Sequence, residues 1–205
     1  MRSGLMVNLL AFAGLAFLII GITNRQLITA DGSFVPMLLM AIALAVILFA
    51  FSFRESAIIA WNYLLTGHLF IMAAILFNTT HIHSIEIVFY ASGILLAYLL
   101  GYYCLRKIHT IDQDISLNRF HGYIYEQETT GFLFLLSAMG MLGFPLTAAF
   151  IGIDVFFTYV GSEQGYLVFL LALCFIFIEL SAFRILLRIF MGPHKKLYHP
   201  VAFRS

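Results

Sequence analysis

Charge is what this chain has least of. Only 10% of its residues are Asp, Glu, Lys or Arg, against about 25% in an ordinary soluble domain. With 62% hydrophobic residues and a mean hydropathy of +1.01, a soluble globular fold is excluded. Cysteine is nearly absent as well. Cys104 and Cys174 lie far apart with no CxxC spacing, which argues against a disulfide framework or thiolate metal site and for packing residues. No GxxxxGK[ST], GxGxxG or nucleophile elbow occurs, so nothing is equipped for ATP hydrolysis or dinucleotide binding. No cofactor and no catalytic chemistry of its own is expected. The net charge of +1 gives no reason to expect nucleic acid as a partner. Linkers, low-complexity segments and internal repeats are missing too, which leaves residues 1–205 as a single domain.

What is there is a series of apolar runs of membrane-spanning length, so the expected fold is an all-α, polytopic transmembrane bundle in contact with lipid. The runs predict about six spans, near 5–23, 34–52, 56–77, 84–104, 131–160 and 164–191, with a loop at 105–130. The start carries no clear signal peptide, so the first span is expected to be retained. With this count the termini and the loops at 53–55 and 105–130 share one side. That side holds Arg2, Arg54, Arg106, Lys107, Arg119, Arg188, Lys195, Lys196 and Arg204, and the other side Arg25 alone. The bias predicts cytoplasmic termini, and a bacterial inner membrane is the expected location.

The fifth run is unlike the others. As one helix, GFLFLLSAMGMLGFPLTAAFIGIDVFFTYV would extend about 45 Å through roughly 30 Å of hydrocarbon. Pro145 removes a backbone donor, and Gly140, Gly143 and Gly152 weaken the helix on either side. Two half-helices with a break at Gly143, Pro145 and Gly152 are expected. Irregular backbone at that depth survives only inside protein or along a watery cavity, and in transporters such breaks hold ions and substrates.

Three ionisable residues then become candidates for a proton or ion pathway. Asp154 lies one to two turns past the break, where desolvation would raise its pKa toward neutrality. The plainer alternative is an acid solvated near the outer interface. Glu179 stands about 22 Å into the last span. A charge there costs about 2.5–3.5 kcal/mol unless paired or protonated, so it is either a relay beside Asp154 or a structural acid. His68 lies inside the third span, where an imidazole can relay protons or simply bond within the bundle. Arg184 and Arg188 share a helix face and are expected to snorkel to the cytoplasmic surface. His81 and His83 form a His–x–His pair, but no further ligands follow at workable spacing, so no metal site is expected. In the 105–130 loop, Ile108, Ile111 and Ile115 fall near one face, predicting a short helix on the membrane surface or against a partner.

The run SAMGMLGFPLTAAFIGIDVFF resembles the second broken helix of the proton-conducting, antiporter-like membrane subunits, the family of respiratory complex I membrane-arm subunits and Mrp-type cation/proton antiporters. Gly143, Pro145, Phe150 and Gly152 match its pattern. The family's charged position falls on Ile153, and the acid that some members carry one residue later falls on Asp154. DISLNRFHGYIYE and RILLRIFMGPHKK narrow the likeness to the antiporter-like subunit of bacterial inorganic-carbon uptake systems. The resemblance covers roughly residues 100–200. It implies proton or sodium flow that energises conversion of carbon dioxide to bicarbonate by a large zinc-dependent, carbonic-anhydrase-like partner. Members of the family have two inverted halves, so a second antiporter-like chain is expected to supply the other. The alternative is a structural or assembly subunit in which Ile153 records a lost relay. A small membrane enzyme using His68, His81 and His83 fails for want of ligands.

Overall fold

The computed structural model describes residues 2–23, 34–78, 84–160 and 164–193, and among these it is all-helical. The helices are α1 (Arg2–Thr23), α2 (Val35–Ser52), α3 (Ala57–Asn78), α4 (Ser84–Ile111), α5 (Glu128–Met141), α6 (Ala148–Tyr159) and α7 (Gly165–Ile189). A 3-10 turn spans Tyr123–Tyr125. Five helices, α1 to α4 and α7, are long and apolar enough to cross a membrane. The chain is thus a multi-pass helical bundle, with α5 and α6 taking the place of a further span.

α3 is the centre. It is buried along nearly its whole length, including Trp61, Tyr63, Leu64 and Ile71. A helix that is apolar all round belongs inside a bundle rather than at its edge. α1, α2, α4 and α7 pack around it. α1 runs parallel to α3, since Gly14 meets Phe70 and Gly21 meets Phe77.

α4 positions the broken span. Gly93, Ala97 and Gly101 recur every fourth residue and make a shallow groove, as small residues do where membrane helices approach closely. α5 and α6 lie in that groove end to end and antiparallel to α4. A side chain at Gly101 would meet Ser137 and Trp61, one at Gly140 would come 2.7 Å from the Ala97 Cβ, and one at Gly93 would run into Ala149. From Ala97 to Gly93 α4 climbs about 6 Å, while the facing chain spends residues 140 to 149. The surplus forms the break. Trp61 Nε1 donates to Tyr98 O at 3.1 Å and Ser137 Oγ to Ala97 O at 2.7 Å, pinning α3 and α5 to the same stretch of α4.

The loop departs from expectation. No separate surface helix carries Ile108, Ile111 and Ile115. α4 instead runs on to Ile111, burying Ile108 and leaving Ile111 51% exposed. Asp112 and Asp114 then stop the helix, each accepting from a backbone N–H two residues on, at 3.1 and 2.9 Å. Such local bonds compete directly with the helical ladder. The following segment folds back as a cap over one end of the bundle. Ala57 N–H donates to Ile115 O at 3.0 Å and Leu117 N–H to Arg54 O at 2.7 Å. His121 N–H donates to Arg188 O and Ile124 N–H to Phe190 O, both at 2.9 Å. Arg54, Arg119 and Arg188 therefore gather at this end.

Candidate functional site

Gly143 ends α5. Its φ is +63°, and a Gly at such a position supports a helix-terminating pair of bonds. Gly143 N–H donates to Gly140 O at 3.1 Å and Phe144 N–H to Met139 O at 3.0 Å. Pro145 follows in the turn, where it prevents the helix from resuming. Thr147 is extended and α6 begins at Ala148. Gly152 lies inside α6 and leaves it unbroken. Its role is closeness, because a side chain there would collide with Tyr90.

His68 faces this break from the middle of α3. Its Nδ1 lies 2.7 Å from the Tyr90 hydroxyl, and both residues are 0% exposed. Phe175 packs beside the imidazole and Phe156 beside the phenol. With Tyr90 donating to Nδ1, the ring proton sits on Nε2. That nitrogen is buried and has no hydrogen-bond partner among the described residues. The Met141 backbone carbonyl, at the end of α5, acts on the ring without completing a bond. A buried polar atom left unpaired costs about 1–3 kcal/mol, a cost this nitrogen shares with His109 Nδ1 and Arg184 Nε among the described residues. For a proton to pass, Nδ1 must take one from Tyr90 as Nε2 gives one up, and Tyr90 must then be reprotonated from outside the pair. The buried Cys174 thiol lies close enough to the Tyr90 phenol to interact with it.

Ile153 occupies the inside of the break. Its Cδ1 lies where a side chain at Gly143 would have to go. The residue at the position that the family resemblance assigns to a charge is thus an apolar plug here.

Asp154 and Glu179 are not brought to His68. Both are exposed on the outside of the bundle, and neither has an ion pair among the described residues. Asp154 lies two residues from Gly152, the Tyr90 contact, toward the Tyr159 end of α6. Glu179 lies four residues from Phe175, the His68 contact, toward the opposite end of the bundle. The two acids therefore lie about 3 Å and about 6 Å on either side of the level of the pair.

The arginines of α7 serve the frame. Arg184 donates to the carbonyls of Ala50 and Phe53 at 3.0 and 2.9 Å and also to that of Phe51. These acceptors lie at and just beyond the last turn of α2, where carbonyls lack helical partners and a cation is favoured. Arg184 is therefore tied across to α2 instead of reaching freely to the surface. Arg188 lies 4.3 Å over the Phe120 ring in the cap.

The cap holds a cluster that sequence reasoning passed over. Arg119 pairs with Asp114 at 2.9 Å and reaches Asp112 at 3.8 Å. The Tyr123 hydroxyl donates to Asp112 at 2.5 Å. His121 stacks on Tyr123, with Nε2 2.9 Å from Ser116 O and Nδ1 3.9 Å from Asp112. The Tyr123 bond, more than Arg119, holds Asp112 below the usual carboxylate range. The Ser116 backbone N–H does most to hold Asp114 low. Burial first, and then the bond to Asp112, pushes the Tyr123 phenol upward. The DQD spacing, apt for successive local turns, was the available signal.

Cys104 and Cys174 are free and buried, as packing residues should be. Among the described residues no group of His, Cys, Asp and Glu could hold a metal ion. His81 and His83 lie outside the described residues. No family model, curated protein or solved structure matches this chain.

Proposed function

We propose that the chain is an antiporter-like membrane subunit that passes protons at the level of its helix break, with His68 and Tyr90 as the relay. The observation that carries this reading is the buried His68 with an unpaired Nε2, set beside the end of a broken helix at mid-bundle. Irregular backbone and an unsatisfied imidazole are both costly inside a membrane protein, and both are features of ion pathways. Asp154 and Glu179 stand on the outer faces as carboxylates that a neighbouring chain would bring into the path. The likeness to bicarbonate-uptake subunits supplies the coupled process: cation flow, proton or sodium, energising a zinc-dependent carbonic-anhydrase-like partner. The bias of Lys and Arg supports cytoplasmic termini in a bacterial inner membrane.

A second reading, a non-conducting structural or assembly subunit, is favoured by Ile153 plugging the break at the resemblance's charged position. Two variants separate the readings. Proton flux is measured in vesicles holding the complex recovered in mild detergent, per assembled complex. Conduction predicts that Tyr90→Phe lowers the flux several-fold and that Ile153→Ala raises it. The structural reading predicts unchanged flux in both, with only yield and thermal stability falling.

A further inference from the structure

α7 carries three charged residues, and among the described residues Glu179 has no ion pair. Arg184 is tied to the end of α2 and Arg188 to the Phe120 ring. Glu179 stands two residues beyond the midpoint of Gly165–Ile189, about 3 Å from it along the axis. No water reaches the middle of a bilayer from outside, and lipid tails carry no cation there.

The face beside Glu179 has the spacing of a helix seam. Phe169, Ile176, Leu180, Phe183 and Leu187 are 62, 50, 46, 38 and 48% exposed. One step of two helical turns, from Phe169 to Ile176, is followed by three steps of one turn, all on a single stripe. Ile176 and Phe183 flank Glu179 at three before and four after, so a helix lying on the stripe would cover the carboxylate.

We infer that this face of α7 is the docking surface for a partner chain's membrane helix that brings a lysine or arginine to Glu179. The inference rests on reading the chain as a subunit of a membrane complex. Charge complementarity selects the occupant. A second copy would bring a second carboxylate against the first, and like charges oppose each other strongly at low dielectric.

The test uses the full chain, donor-labelled, in phosphatidylcholine vesicles. The probe is a synthetic polyleucine transmembrane helix with one central lysine, acceptor-labelled, and energy transfer reports association. The lysine helix is expected to bind about tenfold more tightly than an all-leucine control. Glu179→Gln should reduce that preference below about twofold, while Asp154→Asn and His68→Gln leave it intact. Equal binding of the two helices, or a preference that survives Glu179→Gln, overturns the inference. Energy transfer between copies of the chain that Glu179→Gln abolishes would assign the face to self-association and overturn it as well. Proton flux is read separately, so a lost preference with intact His68-dependent flux overturns this surface alone. A retained preference without flux overturns only the conduction reading.

Discussion

The middle of the bundle and its capped end treat polar groups in opposite ways. At the end, Asp112, Asp114, Arg119, His121 and Tyr123 satisfy one another and the backbone within a few residues. At the middle, His68 and Tyr90 share a single hydrogen bond and leave Nε2 without a partner, facing a helix that stops. The end spends its polar groups on holding α2, α3 and α7 together. The interior leaves His68 Nε2 uncompensated among the described residues, as are His109 Nδ1 and Arg184 Nε.

The comparison breaks most visibly at Arg184. Arg184→Ala removes a cation from three carbonyls around the end of α2 and uncovers the Phe51 ring. Charged hydrogen bonds are worth about 1.5–3 kcal/mol, so a loss of about 3 kcal/mol is expected. Unfolding monitored in detergent should show it as the largest drop among these variants. Gly143→Ala comes next. The left-handed backbone costs an L-residue about 1–2 kcal/mol, and the new methyl meets Ile153. Adding Ile153→Ala to Gly143→Ala should recover the packing part but not the backbone part, which a double-mutant cycle would measure.

Tyr90→Phe sharpens the contrast from the inside. It removes the one hydrogen bond His68 makes at Nδ1, for an expected cost of about 1–2 kcal/mol. A cost near zero would mean that the pair had been dispensable to the fold. The smallest effect belongs to the cap. Asp112 and Asp114 have folded pKa values held below their unfolded ones. They contribute stability above the unfolded value, and it is lost as pH falls through the folded value. Both side chains are more than a third exposed, so solvent screening holds the contribution below about 1 kcal/mol. Melting between neutral pH and the acid range should show the wild type losing stability that the Asp112→Asn, Asp114→Asn double variant lacks from the start.

Long apolar runs explain why the spans were readable. The helix limits at Thr23, Ser52 and Asn78 fall at or next to the ends of the corresponding hydrophobic stretches. The break was readable because Gly143 and Pro145 stand together in an apolar run. The overrun of α4 was not, because Arg106 and Lys107 mark a change of polarity rather than an end of helix. Lys107 is accommodated by donating to Thr130 Oγ1 at 2.9 Å. Tyr90 as the partner of His68, and α2 as the anchor of Arg184, depend on which helices are neighbours. Composition and spacing carry no information about that. The Gly93–Ala97–Gly101 groove could have been found from its four-residue spacing alone.

The most direct measurement is proton flux per assembled complex for His68→Gln against the wild type, in vesicles under an imposed membrane potential. Gln fills the site and cannot take up a second proton. The account predicts a loss of at least about tenfold with unchanged recovery of the complex. Equal flux from the two complexes would contradict it and leave His68 a structural residue.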